Sequence, residues 1–406
     1  MSLDLTRQYI PKRIGIDLRL VGANRTGDEV VFTELTRELI GLASPEVELH
    51  LLVDSNRSEE TICQCIATTF ALIHTKSQGS TMTYATANGY QVYLHILPAT
   101  NRYSWNAWYC PRALGQLALD VYHTQYIAPL WLPSPTKLFT HIHDVSFAAL
   151  PQYIAWKDRL FLRLLIPRSL RLSTRIVVPS QFTSDECQKY YAVPEGKIEV
   201  VYNALGQSWA TWESAGSIQT AQAKHDLVAP YFAVLGTMQP RKNIALLIRA
   251  YAVARQIHPS LPKLLLIGNR SGYHVDQEID QILTEDLATQ VVFPGFLPVG
   301  DLRALVAGAS AMLVPSLYEG FGLPLLEAMS QGVPVLAADI PPFREVGGST
   351  LDYIAPTDLA KWAEMMYTVS MSPNGRMTKR ALYEPRLELF HWDSSAKKLL
   401  AAYLSV

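Results

Sequence analysis

Twice along this chain, short apolar runs that stop at turn residues alternate with longer stretches whose apolar residues recur at helical spacing. That alternation marks parallel strands joined by crossover helices, because a parallel sheet must be covered on both faces. Residues 13–20, 47–53, 92–96, 121–123, 138–143 and 175–179 read as strands, and 29–42 as a helix. Another strand-like run, 197–202, leads into 203–226, a polar stretch with few periodic apolar residues that reads as a loop or linker. The pattern restarts with strands at 231–236, 263–268, 291–295, 311–315 and 333–338 and a helix at 243–254. The expected fold class is therefore α/β with two doubly wound domains, 1–203 and 204–389, and a last helix within 390–406 that starts near Trp392 and packs back toward the first domain. At 406 residues the chain exceeds what one hydrophobic core supports, and with 49% hydrophobic residues it has material for two.

Lys and Arg number 35 and Asp and Glu 36, which leaves no overall field to draw the chain onto nucleic acid, and no nucleic-acid partner is expected. Residues 1–12 lack the apolar core of a signal peptide, and no stretch is apolar for the roughly 18 residues that a membrane span needs. The expected location is the cytoplasm, where Cys63, Cys65, Cys110 and Cys187, with no CxxC pair among them, stay reduced. No GxGxxG follows the first strand, which argues against a dinucleotide-dependent dehydrogenase.

The most informative segment is 313–336, which reads strand, glycine-bearing loop, helix, glycine stop, strand. Pro324 suits the first helical turn, Gly332 the C-cap, and Pro334 prevents continuation of the helix. Such a loop aims unpaired N–H groups and the positive end of a helix dipole outward, and Gly320 and Gly322 let an anionic ligand approach the backbone. Glu319 on the loop and Glu327 one turn inside the helix straddle that place. Two carboxylates repel a bare phosphate but suit one flanked by two sets of hydroxyls; the same pair also serves a purely structural helix cap. Arg241 and Lys242 occupy the turn after strand 231–236, where a basic pair is either solvated or faces an anion. His141, His143 and Asp144 close strand 138–143. Two histidines one residue apart share a face of a strand, but a metal needs a third ligand, and none is evident.

The stretch from Glu319 to Glu327 resembles the Glu-x7-Glu motif of the family-4 retaining glycosyltransferases, and its surroundings match almost without gaps. The resemblance implies that Glu319 contacts the transferred sugar, that the amides of Gly320, Phe321, Gly322 and Leu323 meet sugar and phosphate, and that Glu327 holds a ribose diol. It implies that Arg241 and Lys242 neutralise the donor diphosphate, with Asn243 opening the next helix; Thr237 stands where the family often carries an Arg. His143 becomes a hydrogen-bonding or acid/base partner near the sugar, oriented by Asp144, with a satisfied core histidine as the alternative. The likeness runs through 176–183 and 191–203 to 390–393. It is thinnest at 26–30, where Thr26 and Gly27 open the loop that abuts donor or acceptor in the family and Glu29 replaces its second glycine.

The resemblance implies a GT-B architecture: two Rossmann-like domains facing across a cleft, the second binding a nucleotide sugar and the first an acceptor. The implied reaction moves a hexose, from GDP-mannose first and a UDP-sugar second, onto a saccharide or lipid-linked acceptor in polysaccharide or lipopolysaccharide assembly. A nucleotide-sugar 2-epimerase on the same fold, or a catalytically silent nucleotide-sugar-binding protein, are the alternatives. No cofactor or divalent metal is expected, since no Asp-x-Asp occurs in the sequence and fixed cations are at hand. One segment lies outside this scheme. In 156–175, Lys157, Arg159, Arg163, Arg168, Arg171 and Arg175 interleave with apolar residues against a single acid, Asp158. It reads as a basic-faced helix broken at Pro167 and packed on the first domain, or as a peripheral contact with anionic lipid.

Overall fold

The computed structural model describes residues 10–22, 27–269, 275–372 and 376–406, apart from the side chains of 275–277. Its first sheet has nine strands, β1 (Lys12–Asp17), β2 (Val47–Asp54), β3 (Ile73–Gln78), β4 (Thr81–Ala85), β5 (Gln91–Leu97), β6 (Val121–Gln125), β7 (Lys137–His141), β8 (Arg175–Val178) and β9 (Ile198–Val200), in the order β3-β4-β5-β2-β1-β6-β7-β8-β9. All run the same way except β4, which is antiparallel to both neighbours. The second sheet is wholly parallel: β10 (Tyr231–Leu235), β11 (Lys263–Ile267), β12 (Val291–Gly295), β13 (Ala311–Val314), β14 (Val335–Ala338) and β15 (Asp352–Ile354), in the order β12-β11-β10-β13-β14-β15. In both, the winding reverses beside the first strand, between β1 and β6 and between β10 and β13. A crevice opens at the carboxyl ends of strands where neighbouring connections leave in opposite directions, so these two places are where ligand-binding loops belong.

Eight helices matter below: α1 (Gly27–Gly41), α2 (Trp156–Leu172), α3 (Gln181–Tyr191), α4 (Ala215–Lys224), α5 (Ile244–Ile257), α6 (Leu323–Ser330), α7 (Pro341–Gly347) and α8 (Trp392–Leu404). α1 buries Val31, Phe32, Leu35, Leu39 and Ile40, and α8, although it follows the second sheet in sequence, packs along α1 with Ala396, Leu399 and Tyr403 buried. The Tyr403 hydroxyl meets Nδ1 of His123 on β6, deep in the first unit. Among the described residues no helix is long and apolar enough to cross a membrane.

Two expectations fail here for physical reasons. The stretch 203–226 is not all loop: it carries α4, whose N-cap Ser214 accepts from the Ser217 N–H at 3.1 Å. Only Ala221 of α4 is buried, so no apolar stripe announces the helix. α2 is not broken at Pro167. Proline removes one hydrogen bond and crowds the preceding turn, but the following turn is held from outside: Ser169 Oγ donates to the Leu165 carbonyl at 2.9 Å and accepts from the Ala128 N–H at 2.8 Å.

Candidate active site

The chain leaves β10 through a tight turn, Pro240–Lys242, and enters α5 through Asn243 in the left-handed conformation, φ 60°. Asn243 Nδ2 donates to the carbonyls of Pro315, at 3.2 Å, and Pro356, at 2.7 Å, while the Arg241 carbonyl accepts from the Leu317 N–H at 2.8 Å. The basic turn is thereby stitched to the loop that follows β13. Arg241 Nη1 donates to Glu319 Oε2 at 2.8 Å and to the Tyr318 carbonyl at 3.1 Å; Lys242 Nζ pairs with Glu319 Oε1, which also accepts from Ser316 Oγ at 2.9 Å. Burial alone would push the Glu319 carboxyl up, but Lys242 and Arg241 outweigh it and hold it at about 2. Burial pulls Lys242 below its ordinary range against the attraction of Glu319. For Arg241 burial acts the same way but Glu319 wins, and its pKa is raised. One carboxylate thus sits between two cations in a nearly dry place, with a net positive charge.

The glycine at 320 has a different cause from the one its motif suggests. A Cβ there would lie 1.8 Å from the His143 carbonyl oxygen, so it is the backbone of the first unit, rather than a ligand, that demands glycine. Its carbonyl accepts from Ser180 Oγ at 2.5 Å and from Thr183 Oγ1 at 3.0 Å, Ser180 being the N-cap of α3. A trans peptide points its N–H opposite to its C=O, so this clamp turns the Phe321 N–H away from α3. Gly322, at φ 127°, then takes the chain into α6, which has no side-chain cap. Among the described residues the amides of Gly320, Phe321, Gly322 and Leu323 donate to no acceptor. The Phe321 ring is committed elsewhere, edge-on to Phe390 with centroids 5.4 Å apart. Leu323 is the first residue of α6 and half-buried, and Glu327 lies one turn on, half-buried, with no partner for its carboxylate among the described residues. Burial pushes Glu327 up to about 7, with Lys242 drawing it down.

From the first unit His143 arrives two residues beyond β7. Its Nε2 lies 3.0 Å from Gln125 Oε1 and its Nδ1 3.9 Å from Asp28 Oδ1. Asp144 does not orient it, contrary to expectation: that carboxylate accepts from the N–H and Oγ of Ser146, at 2.9 and 2.8 Å, and so fixes the next turn. His143 stacks on His141 (4.4 Å) and His141 on His123 (5.6 Å); their planes are within 24° and 13° of parallel, so the rings cannot converge on one ion. Among the described residues no group of three or more His, Cys, Asp or Glu is placed to hold a metal. Gly27 starts α1, and among the described residues nothing lies within 4 Å of where a Cβ would be, so none of them requires glycine there. Thr26 lies outside the described residues. Glu29 accepts from the Gly22 N–H at 2.6 Å and closes the β1–α1 connection.

A cleft of about 390 Å³ separates the two sheets, lined by Asp28, Tyr126 and Asp144 from one side and Gln239, Pro240 and Arg241 from the other. His143, Arg241, Lys242, Glu319 and Gly320 are thus gathered at one junction, Glu327 joins them only through the field of Lys242, and Gly27 stands behind Asp28 on the far wall. Sequence reasoning missed Ser180, Thr183, Ser316, Gln125 and Asp28. The likeness runs through 176–183 without giving Ser180 or Thr183 a role, and nothing local in that run points to a carbonyl 137 residues away.

Residues 27–205 match Glycosyltransferase Family 4, and residues 218–361 match Glycosyl transferases group 1. O-antigen chain mannosyltransferase B of Escherichia coli is 28% identical over 268 residues, 66% of this chain and 70% of that protein. O-antigen chain mannosyltransferase RfbU of Salmonella typhimurium is 26% identical over 233 residues, 57% of this chain and 61% of that protein. The crystal structure of Anabaena HepE in complex with UDP-glucose covers 97% of this chain and all of its own with a TM-score of 0.71, at 15% identity, a likeness of fold. Matches that together take in every strand of both sheets but β1, around a basic turn and a glutamate loop joined across one junction, place this chain in family 4 of the glycosyltransferases, with the GT-B fold.

Proposed function

We propose that this chain moves a hexosyl group with retention of configuration, mannose from GDP-mannose first and otherwise the sugar of a UDP-sugar, onto a saccharide or lipid-linked acceptor in cytoplasmic assembly of a cell-surface polysaccharide or lipopolysaccharide. The observation that carries the reading is Glu319 held between Arg241 and Lys242 beside the unpaired amides that lead into α6. Mannose is favoured by the relatives' names; the UDP-glucose bound by a protein of like fold keeps the second donor in view.

Residues 204–389 hold the donor, and residues 1–203 with the returning 390–406 hold the acceptor. The diphosphate seats on the amides of Phe321, Gly322 and Leu323 and competes with Glu319 for Lys242 and Arg241, which frees the Glu319 carboxylate to accept from sugar hydroxyls. Glu327 accepts from the ribose diol, and His143 presents its ring edge to the sugar. The bond from C1 to the diphosphate oxygen breaks while the acceptor oxygen bonds to C1 on the same face, and the acceptor's proton passes to the departing phosphate. Negative charge grows on that phosphate as the bond breaks, so the two cations and the start of α6 bind the transition state more tightly than the donor. Two fixed cations meet the need that Mg²⁺ or Mn²⁺ fills elsewhere, and no divalent metal takes part.

A panel of nucleotide sugars, read by thermal stabilisation in EDTA and then by transfer, tests this. GDP-mannose should stabilise most, transfer should survive EDTA, and Lys242→Ala should cut turnover roughly 100-fold. Transfer lost in EDTA and restored by Mn²⁺, with Lys242→Ala near normal, refutes the phosphate site. A rearranged sugar nucleotide formed without acceptor assigns the chain to the epimerases instead.

A further inference from the structure

α2 turns apolar side chains to water. Trp156, Leu160 and Leu164, spaced four apart and therefore above one another on one face, are 71%, 52% and 64% exposed, while Ile166, Ser169 and Leu170 on the opposite side are buried. Arg159 and Arg163 lie exposed beside the stripe, and Lys157 stands over the Trp156 ring. A single exposed leucine needs no explanation; a contiguous patch does. The patch continues past the helix. Arg102 stacks on Phe161 of α2 at 4.7 Å and pairs with Asp158 at 3.2 Å, which brings exposed Tyr103 alongside. Trp108, also exposed, follows on the same segment with Arg112 over its ring. Leu130 donates its N–H to the Asn106 carbonyl at 2.7 Å, and Arg168 of α2 donates to the Pro129 and Leu130 carbonyls, so exposed Leu130 and Trp131 border the same helix.

Residues 100–119, 126–136 and 156–172, which build this surface, carry seven cations and one carboxylate, Asp158, in a chain whose net charge is -1. We propose that this face docks on an anionic bilayer. Its tryptophans and tyrosine suit the headgroup layer, its leucines reach the acyl boundary, and its arginines meet lipid phosphates while their stems stay in apolar contact. Nucleic acid would leave Leu160 and Leu164 in water, and a second copy would press like charges together. Asp158 and Leu162 of the same helix line the cleft, so docking sets the mouth of the cleft against the membrane. On the transferase reading above, an acceptor can then reach the sugar while its lipid stays in the bilayer.

Flotation of the full chain with phosphatidylcholine vesicles, with and without phosphatidylglycerol, tests the docking without donor or acceptor, so its failure is distinct from a failure of the transferase reading. Binding is expected only to the anionic vesicles and should weaken in high salt, and lipids brominated in their acyl chains should quench tryptophan emission. Arg159→Glu with Arg163→Glu should lower partitioning roughly tenfold or more, and Leu160→Ser with Leu164→Ser should abolish the quenching, both with unchanged melting because the four side chains are exposed. Absence of binding at low salt, or binding that neither double variant weakens, overturns the proposal. So does a dimer or an oligonucleotide complex that the same substitutions abolish while vesicle binding is absent.

Discussion

Glu319 and Glu327 are one residue type on one short segment, yet their surroundings drive them in opposite directions, to about 2 and about 7. The carboxyl of Glu327 has a raised pKa in the native state, so the stability it lends is complete below the ordinary carboxylate range and is lost as pH rises through 7. Glu327→Gln should therefore raise the melting temperature at about pH 8 and hardly change it at about pH 4. If its ionised form grips ribose, free nucleotide should bind more tightly as pH passes 7, and the Gln variant should bind weakly and without that pH dependence. A flat calorimetric profile in the wild type sinks the ribose role. Glu319 has a depressed pKa: its contribution is present above the ordinary carboxylate range and disappears as pH falls toward 2. Glu319→Ala leaves two half-buried cations without their carboxylate and should cost roughly 1–3 kcal/mol in a urea titration. Free nucleoside diphosphate should still bind at least as well, since those cations are released to it, while transfer collapses; equal losses of binding and transfer would refute the exchange. The spacing of the two glutamates was legible in the sequence. The opposite directions of their pKa shifts were not, because Lys242, the first cation that holds Glu319 down, lies 77 residues upstream of it, and the burial that raises Glu327 is set by the fold.

Elements legible in the sequence are those whose burial dictates their composition. β13 is buried from end to end and β10 at all but its last residue, and both read as apolar runs. β3 is exposed at every position, so its sequence carries no alternation and it was missed, as was its antiparallel partner β4. The junction between the units was illegible for another reason: the contacts that clamp its backbone are polar and far apart in sequence. Ser180 and Thr183 grip the Gly320 carbonyl, and Glu345 of α7 accepts from the N–H groups of Gln181 and Phe182 at 2.7 and 3.1 Å, capping α3 from the other unit. Ser180→Ala with Thr183→Val should free the Gly320 peptide to rotate, lower turnover roughly tenfold and weaken nucleotide diphosphate binding in parallel. Ser180→Thr, which keeps the hydroxyl, should restore much of both. If the double variant only melts earlier, with the kinetics of the native enzyme, the clamp is scaffold and does not aim the amide.

At the scale of the whole molecule the chain crosses between the two sheets twice, once after β9 and again on the way into α8, which lies along α1 with Tyr403 sealed against His123 and Phe139. Tyr403→Ala should cost roughly 3–5 kcal/mol, the usual price of deleting a buried aromatic. The loss should appear in hydrogen exchange of α1 and β6, far from its own place in the sequence. Protection lost in α8 alone would mean that the helix rides on the first unit without supporting it. The order in which a ribosome delivers the chain gives this packing a further meaning. When β9 emerges, every strand of the first sheet exists, but the flank of α1 that α8 covers is bare. At about 5–20 residues per second, roughly 10–40 s pass before α8 is made. Throughout that interval a nascent first unit exposes the apolar helix flank that α8 later covers, which makes it a client for whatever chaperone waits at the exit tunnel.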